Sequence, residues 1–188
     1  YGDRTEDERR SLIEQLAKLP DSQGTKAVCR VVRFETSNVL SKRAALAIMQ
    51  RKTAAANAPL ASLSDTITES LGTSRREAAN WLRVYAATLK DPAATLPDWE
   101  RISAQEEQAF QNTPDRSAPD IVRDLFRWRA DLLERVGRVE ESRAVILKTI
   151  DLLDGTRQQL VDAVDWLLER RAWATIINVS KRFPERFQ

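Results

Sequence analysis

Few side chains in this sequence are suited to chemistry, and their types restrict what the chain can do. Histidine is absent from its 188 residues, which removes the usual general base, the common nucleophilic triads and most zinc and haem sites. Carboxylate pairs can perform acid–base or metal chemistry inside a cavity that shifts their pKa values. They occur at Glu106/Glu107, Glu140/Glu141 and Asp162/Asp165. All three pairs fall on predicted outer helix faces, so we expect solvated surfaces and no catalytic site, metal or cofactor.

The five tryptophans are the next candidates, because aromatic rings can stack on bases or ligands. Trp81, Trp99 and Trp173 fall on apolar helix faces, which predicts that they belong to the core. Trp128 and Trp166 lie off the main apolar stripe of their helices. The sequence therefore leaves the role of these last two open.

Charge and composition narrow the classes of partner. The 30 basic and 28 acidic residues leave a net charge of +2, which is too small to imply bulk attraction to nucleic acid. No apolar run approaches the roughly 18 residues that a membrane span needs. The single cysteine, Cys29, lies among valines, which predicts a buried thiol. Because the chain begins at Tyr1 without a methionine, we expect a fragment of a larger protein. The sequence does not identify its compartment, and the default expectation is a soluble, cytoplasmic protein.

Helices must position these side chains. Only 5 glycines and 7 prolines are present, and apolar residues recur at helical spacing, so the predicted fold class is all-α, with nine or ten helices. Predicted helix starts are capping boxes at Thr5–Glu8 and Ser74–Glu77 and N-caps at Ser37 and Thr156. Gly72 suits the left-handed position after a helix.

The first part of the chain resembles HEAT-type helical repeats. The resemblance rests on the segment Val39-Leu40-Ser41-Lys42-Arg43-Ala44-Ala45-Leu46-Ala47-Ile48, whose small residues let a neighbouring helix approach closely. It implies HEAT-like hairpins over residues 5–111 and a first domain at 1–111. Any packed helical hairpin explains the segment equally well. The polar run at 112–117 is the predicted domain boundary.

Residues 63–83 resemble the helix-turn-helix of bacterial DNA-binding proteins. Gly72 would be the turn glycine, and the side chains facing the major groove and phosphates would be Arg75, Arg76, Asn80 and Arg83. The balanced charge and the lack of a basic arm favour a structural hairpin instead. In that reading Trp81 packs between neighbouring helices, and Arg75 and Arg76 are merely solvated.

The last third of the chain repeats itself at a step of 34 residues. Phe126 is matched by Leu160, Ala130 by Val164, Leu133 by Leu167 and Val139 by Trp173. A fixed period of this size marks stacked helical hairpins, and the last two matched pairs are predicted to be buried. The segment Gly137-Arg138-Val139-Glu140-Glu141-Ser142 resembles the turn and second-helix start of tetratricopeptide repeats. The resemblance covers 119–184, within a second domain at 112–188. Together the two parts imply one continuous α-solenoid of stacked antiparallel helical hairpins.

The tetratricopeptide resemblance also implies where a partner binds. In that family the first helix of each hairpin lines a concave groove. The corresponding positions here are Asp124, Arg127, Asp131, Glu134, Arg135, Gln158, Val161, Asp165, Leu168 and Glu169. They hold five carboxylates and two arginines, and opposite charge favours encounter. We therefore expect a basic or apolar protein segment to bind at Arg127, Asp131, Glu134, Val161, Asp165 and Leu168.

Two hypotheses about function remain. The first is a non-catalytic protein–protein interaction scaffold whose partner is a protein or peptide. The alternative is a DNA-binding regulator that uses the helix-turn-helix at 63–83. The balanced charge makes nucleic acid the less favoured partner, and nothing in the sequence suggests an enzyme.

Overall fold

The chain is all-helical in the computed structural model, which describes residues 4–19, 22–51, 60–153 and 156–186. No strand occurs in these ranges, so the predicted all-α class is confirmed. Ten α-helices occur within the described ranges: α1 (Glu6–Lys18), α2 (Ser22–Phe34), α3 (Asn38–Met49), α4 (Leu60–Leu71), α5 (Glu77–Thr88), α6 (Leu96–Asn112), α7 (Pro119–Arg135), α8 (Val139–Leu152), α9 (Arg157–Glu169) and α10 (Trp173–Arg182). In the part of the chain that the structure describes, no helix is long and apolar enough to cross a membrane.

Most of the predicted helix caps are present. Thr5 Oγ1 accepts a hydrogen bond from the Glu8 amide at 3.3 Å, and Glu8 accepts one from the Thr5 amide at 2.8 Å. Ser37 caps α3 by accepting from the Leu40 amide at 3.3 Å. Thr156 caps α9 in the same way. These side chains satisfy amides that the first turn of a helix leaves without a backbone partner.

The capping box predicted at Ser74–Glu77 is wrong. α5 begins at Glu77, its N-cap is Arg76, and no side chain caps it. The turn before α5 is held from inside the helix, because Arg83 donates to the carbonyls of Gly72 at 2.9 Å and Ser74 at 2.6 Å. Gly72 itself has the predicted left-handed backbone, with φ of 51°.

The chain divides into two compact units inside α7, between Asp124 and Leu125. We call residues 1–124 unit 1 and residues 125–188 unit 2. The sequence placed the boundary at 111/112. The run at 112–117 belongs to unit 1 because it ends α6 and continues as a 3₁₀ turn at Pro114–Arg116, and the Arg116 carbonyl accepts a hydrogen bond from Lys42 at 2.7 Å.

The core of unit 1 contains the side chains that the sequence assigned to it. Trp81 and Trp99 are buried, as predicted. Cys29 is buried as well, and this burial raises the pKa of its thiol to about 12. A thiol with so high a pKa is protonated at neutral pH and therefore a poor nucleophile.

Unit 2 confirms one of the two predicted core pairs. Leu133 and Leu167 are buried. Val139 and Trp173 are 36% and 57% exposed, so their predicted burial is wrong. Both are the first residues of their helices, α8 and α10. Because helical side chains lean toward the N-terminus, a side chain at the first position points past the end of the helix and not onto a neighbour.

The two turns that follow α7 and α9 have the same backbone geometry. Gly137 has φ of 83° and Arg171 has φ of 54°. The amide of Gly137 donates to the backbone carbonyl of Glu134 at 3.0 Å, and the amide of Arg171 donates to the backbone carbonyl of Leu168 at 3.0 Å. These equivalent residues are 34 apart in the sequence. The turn therefore needs a left-handed residue, which glycine adopts readily and arginine does not.

Replacing Arg171 by glycine should stabilise the protein. A left-handed non-glycine residue costs roughly 1–2 kcal/mol, part of which is offset by the greater freedom of glycine in the unfolded chain. We expect the free energy of unfolding to rise by about 0.5–1 kcal/mol, measured by urea denaturation. The opposite change, Gly137→Ala, is the matched control. A Cβ there would meet no atom within 4 Å, so only backbone strain should destabilise it. Loss of stability on Arg171→Gly would contradict the assigned turn.

Candidate partner-binding surface

The six predicted partner-binding residues lie on two helices of unit 2. Three of them share one face of α9, because Val161, Asp165 and Leu168 are spaced four and three residues apart. Val161 is 45% and Leu168 40% exposed, and Asp165 is exposed between them. We call these three residues the α9 face.

The other three predicted residues, on α7, are half-buried: Arg127, Asp131 and Glu134. Asp131 Oδ1 accepts hydrogen bonds from Trp166 Nε1 and Arg170 Nη2, both at 2.8 Å. Glu134 Oε2 accepts from Arg170 Nε at 2.6 Å. These two carboxylates therefore fasten α7 to α9.

Arg170, which the sequence interpretation missed, is the centre of this cluster. Its guanidinium lies 3.8 Å from the centroid of the Trp166 ring, and its Nη1 donates to the Trp166 carbonyl at 3.0 Å. Trp166 is buried, which answers the open question about its role, and Trp128 is buried too. A signal existed in the sequence, since Trp166 and Arg170 are spaced as neighbours on one helix face.

Arg170 changes the charge of the predicted groove. It pairs with Asp131 and Glu134, and it also lies 3.2 Å from Glu169. Burial raises the pKa of Asp131, and the hydrogen bond from Trp166 and the charge of Arg170 oppose that rise. The acidic excess read from the sequence is therefore largely compensated within unit 2. The exposed apolar side chains of the predicted groove are those of the α9 face, Val161 and Leu168, with Asp165 between them.

The helix-turn-helix look-alike uses two of its predicted reading side chains internally. Arg76 donates to the carbonyl of Glu35, so the expectation that it is merely solvated is wrong. Arg83 holds the turn carbonyls described above. Arg75 is exposed and Trp81 is buried, both as predicted. Arginines that satisfy backbone carbonyls within the fold have fewer donors left for bases or phosphates.

A buried polar cluster in unit 1 was not foreseen. Lys42 Nζ lies 2.5 Å from Glu106 Oε2, and the two side chains are 1% and 0% exposed. Ser117 Oγ donates to Glu106 Oε1 at 2.5 Å. Glu77 lies 3.3 Å from the same ammonium. The Trp81 ring adds a cation–π contact, with its centroid 5.5 Å from Lys42 Nζ.

The predicted outward placement of the Glu106/Glu107 pair is thus wrong for Glu106. On α6 the buried residues are Trp99, Ile102, Ser103 and Glu106. Their spacing places Glu106 on the inward stripe, a helical signal that the sequence contained. Burial raises the pKa of Glu106, and the Lys42 charge with the Lys42 and Ser117 hydrogen bonds opposes that rise. The arrangement neutralises a buried lysine and leaves no exposed atom of the pair for a substrate.

Removing the carboxylate of this pair should strongly destabilise the protein. We expect Glu106→Gln to lower the free energy of unfolding by about 3–5 kcal/mol, because it leaves the buried ammonium poorly compensated. The half-exposed neighbour Glu107→Gln is the control, with an expected loss of at most about 1 kcal/mol, because partly exposed ion pairs contribute little. Lys42→Met combined with Glu106→Leu should recover much of the loss, since apolar replacements of buried ion pairs are often tolerated. Equal effects of the two Gln variants in urea denaturation would contradict the assignment.

The chain was also compared with known proteins. No family model, curated protein or solved structure matches it. Within the described ranges, no group of cysteine, aspartate and glutamate side chains is arranged to hold a metal ion. The α9 face and the clusters around Arg170 and Lys42 are therefore interpreted from their own contacts.

Proposed function

We propose that the chain is a non-catalytic protein–protein interaction scaffold. In this proposal it is an α-solenoid of helical hairpins, tetratricopeptide-like over 119–184 and HEAT-like over 5–111. The equivalent turns at Gly137 and Arg171, 34 residues apart, support the tetratricopeptide-like part. The pattern of close helix packing in unit 1, where α2 packs against both α3 and α4, is compatible with stacked hairpins.

The observation that carries this proposal is the distribution of exposed apolar side chains. Among the described residues of unit 1, the exposed large ones are Leu19 and Phe34. In unit 2, which is about half as long, they are Val139, Val161, Leu168, Trp173 and Ile177. Exposed apolar side chains that neighbour one another on a helix and are bordered by charges are typical of protein-binding sites.

A non-catalytic role is supported by the state of the groups best suited to chemistry. Lys42, Glu106 and Ser117 are all buried. Their donors and acceptors are used on one another and on the Arg116 carbonyl. A catalytic acid, base or nucleophile has to reach its substrate, whereas a structural ion pair does not.

The proposed ligand of the α9 face is an extended or helical protein segment that presents apolar residues and a basic residue. Val161 and Leu168 would contact the apolar residues, and Asp165 would attract the basic one. Asp131 and Glu134 contribute indirectly, because they hold Arg170 and with it α9.

The test is a calorimetric titration of the whole chain with leucine-rich peptides that carry either lysines or glutamates. We expect the lysine peptide to bind, and Val161→Ser with Leu168→Ser to weaken it about tenfold. Asp165→Lys should weaken it too. Val139→Ser, an exposed valine on α8, is the matched control. Asp131 stays unchanged in this design because its loss would disturb Trp166 and Arg170.

Two results would overturn this proposal. One is that the lysine peptide does not bind, or that it binds with an affinity that the changes at Val161, Leu168 and Asp165 leave unaltered. The other is salt-sensitive binding of duplex DNA that Arg75→Ala abolishes, which would favour the helix-turn-helix alternative.

A further inference from the structure

Helices α8 and α10 occupy equivalent positions in the repeat of 34 residues. Helix α10 is covered less completely than α8. Ser142, Ile146 and Thr149 of α8 are buried. The residues 34 positions later are half-buried: Ile176, Ser180 and Phe183. α9 packs against both helices. Among the described residues, α8 is therefore covered more completely than α10 on this side.

The uncovered side of α10 is apolar. Trp173 is 57% and Ile177 51% exposed, and the two are one helical turn apart. Ile176 and Ser180 lie beside them on the same side of the helix, at spacings of three and four residues. We call Trp173, Ile176, Ile177 and Ser180 the α10 face. An exposed tryptophan next to isoleucines is the type of residue that dominates binding energy in protein interfaces.

The α10 face is flanked in the sequence by basic residues. Residues 170–182 contain four basic residues and no carboxylate. Arg170 is bound to Asp131 and Glu134, and Arg182 to Asp151. Arg171 and Lys181 are exposed. Arg171 precedes Trp173, and Lys181 lies one helical turn after Ile177. The α10 face is therefore an apolar patch with a positive charge at each end.

We propose that the α10 face docks an acidic amphipathic helix of a partner protein. A helix is the expected shape because the element that packs against α8 is itself a helix, α9, which buries Leu160, Ala163 and Leu167 at helical spacing. The apolar stripe of the partner would pack on Trp173 and Ile177. Carboxylates at the two ends of the stripe would face Arg171 and Lys181. This site is separate from the α9 face, which favours a basic segment, and it does not depend on the function proposed there.

Trp173 provides a direct readout of docking. The other four tryptophans are at most 8% exposed, so acrylamide quenching of tryptophan fluorescence reports mainly on Trp173. The probe is a synthetic helical peptide with leucines at i, i+3, i+4 and i+7 and glutamates elsewhere. Its matched control has lysines in place of the glutamates. Two further controls are phosphatidylserine vesicles, which test membrane binding, and serial dilution of the protein alone, which tests contact between copies of the chain.

We expect the glutamate peptide to protect Trp173 from acrylamide severalfold better than the lysine peptide, and added salt to weaken this protection. By anisotropy of a labelled glutamate peptide, Trp173→Ala should weaken binding about tenfold or more. Ile177→Ser and Lys181→Glu should weaken it in the same direction. Val139→Ser, at the position equivalent to Trp173 on α8, and the α9-face variants should leave it unchanged. Circular dichroism of each variant checks that the fold is retained.

Four outcomes would overturn the proposal. They are equal protection by the two peptides, protection by vesicles alone, protection that appears on concentrating the protein without peptide, and no protection under any of these conditions. The second would indicate a membrane-binding face and the third a contact between copies of the chain. Loss of glutamate-peptide binding in Val161→Ser with Leu168→Ser, but not in Trp173→Ala, would move the acidic ligand to the α9 face.

Discussion

The buried pair of Lys42 and Glu106 is the interaction on which unit 1 depends. A lysine ammonium is almost never buried without a partner, because removal from water costs several kcal/mol. Here the charge is met by Glu106 of α6, by the Arg116 carbonyl and by Glu77 of α5. Ser117 satisfies the other oxygen of Glu106. One ammonium on α3 thus fixes the positions of α5, α6 and the turn that follows α6, and any other register would leave a charge buried alone.

In unit 2 a cluster of charged side chains around Arg170 also joins two helices, at a partly exposed site. Arg170 bridges Asp131 and Glu134 of α7 while stacking on Trp166 of α9. Because this cluster is partly exposed to water, it contributes less to the free energy of unfolding than a fully buried pair does. The planar guanidinium of Arg170 nevertheless specifies how the two helices align. Arg170 also neutralises two of the carboxylates of the predicted groove, those of Asp131 and Glu134. The surfaces that we propose for partners are the α9 face, with one carboxylate, and the apolar α10 face, with a basic residue at each end.

Local sequence signals predicted the helices and several of their ends well. Thr5, Ser37 and Thr156 cap helices as expected, because capping depends on residues only a few positions apart. Helical periodicity places Glu106 on the inward stripe of α6, but it does not identify Lys42, 64 residues away, as its partner. Nor does it reveal that Arg76 donates to the Glu35 carbonyl, 41 residues away. Trp173 shows another limit. An apolar residue on an apolar stripe is buried only if another element covers it, and the sequence does not say whether one does.

The proposed binding of protein segments to unit 2 through α9 and α10 can be measured on the whole chain. Hydrogen exchange of the whole chain, followed by mass spectrometry, tests it most directly when the lysine and glutamate peptides are added separately. The account predicts slower exchange in α9 with the lysine peptide and in α10 with the glutamate peptide, and unchanged exchange in α4 and α5. Slower exchange confined to residues 63–83, or no change with either peptide at concentrations well above those of typical weak peptide complexes, would contradict it.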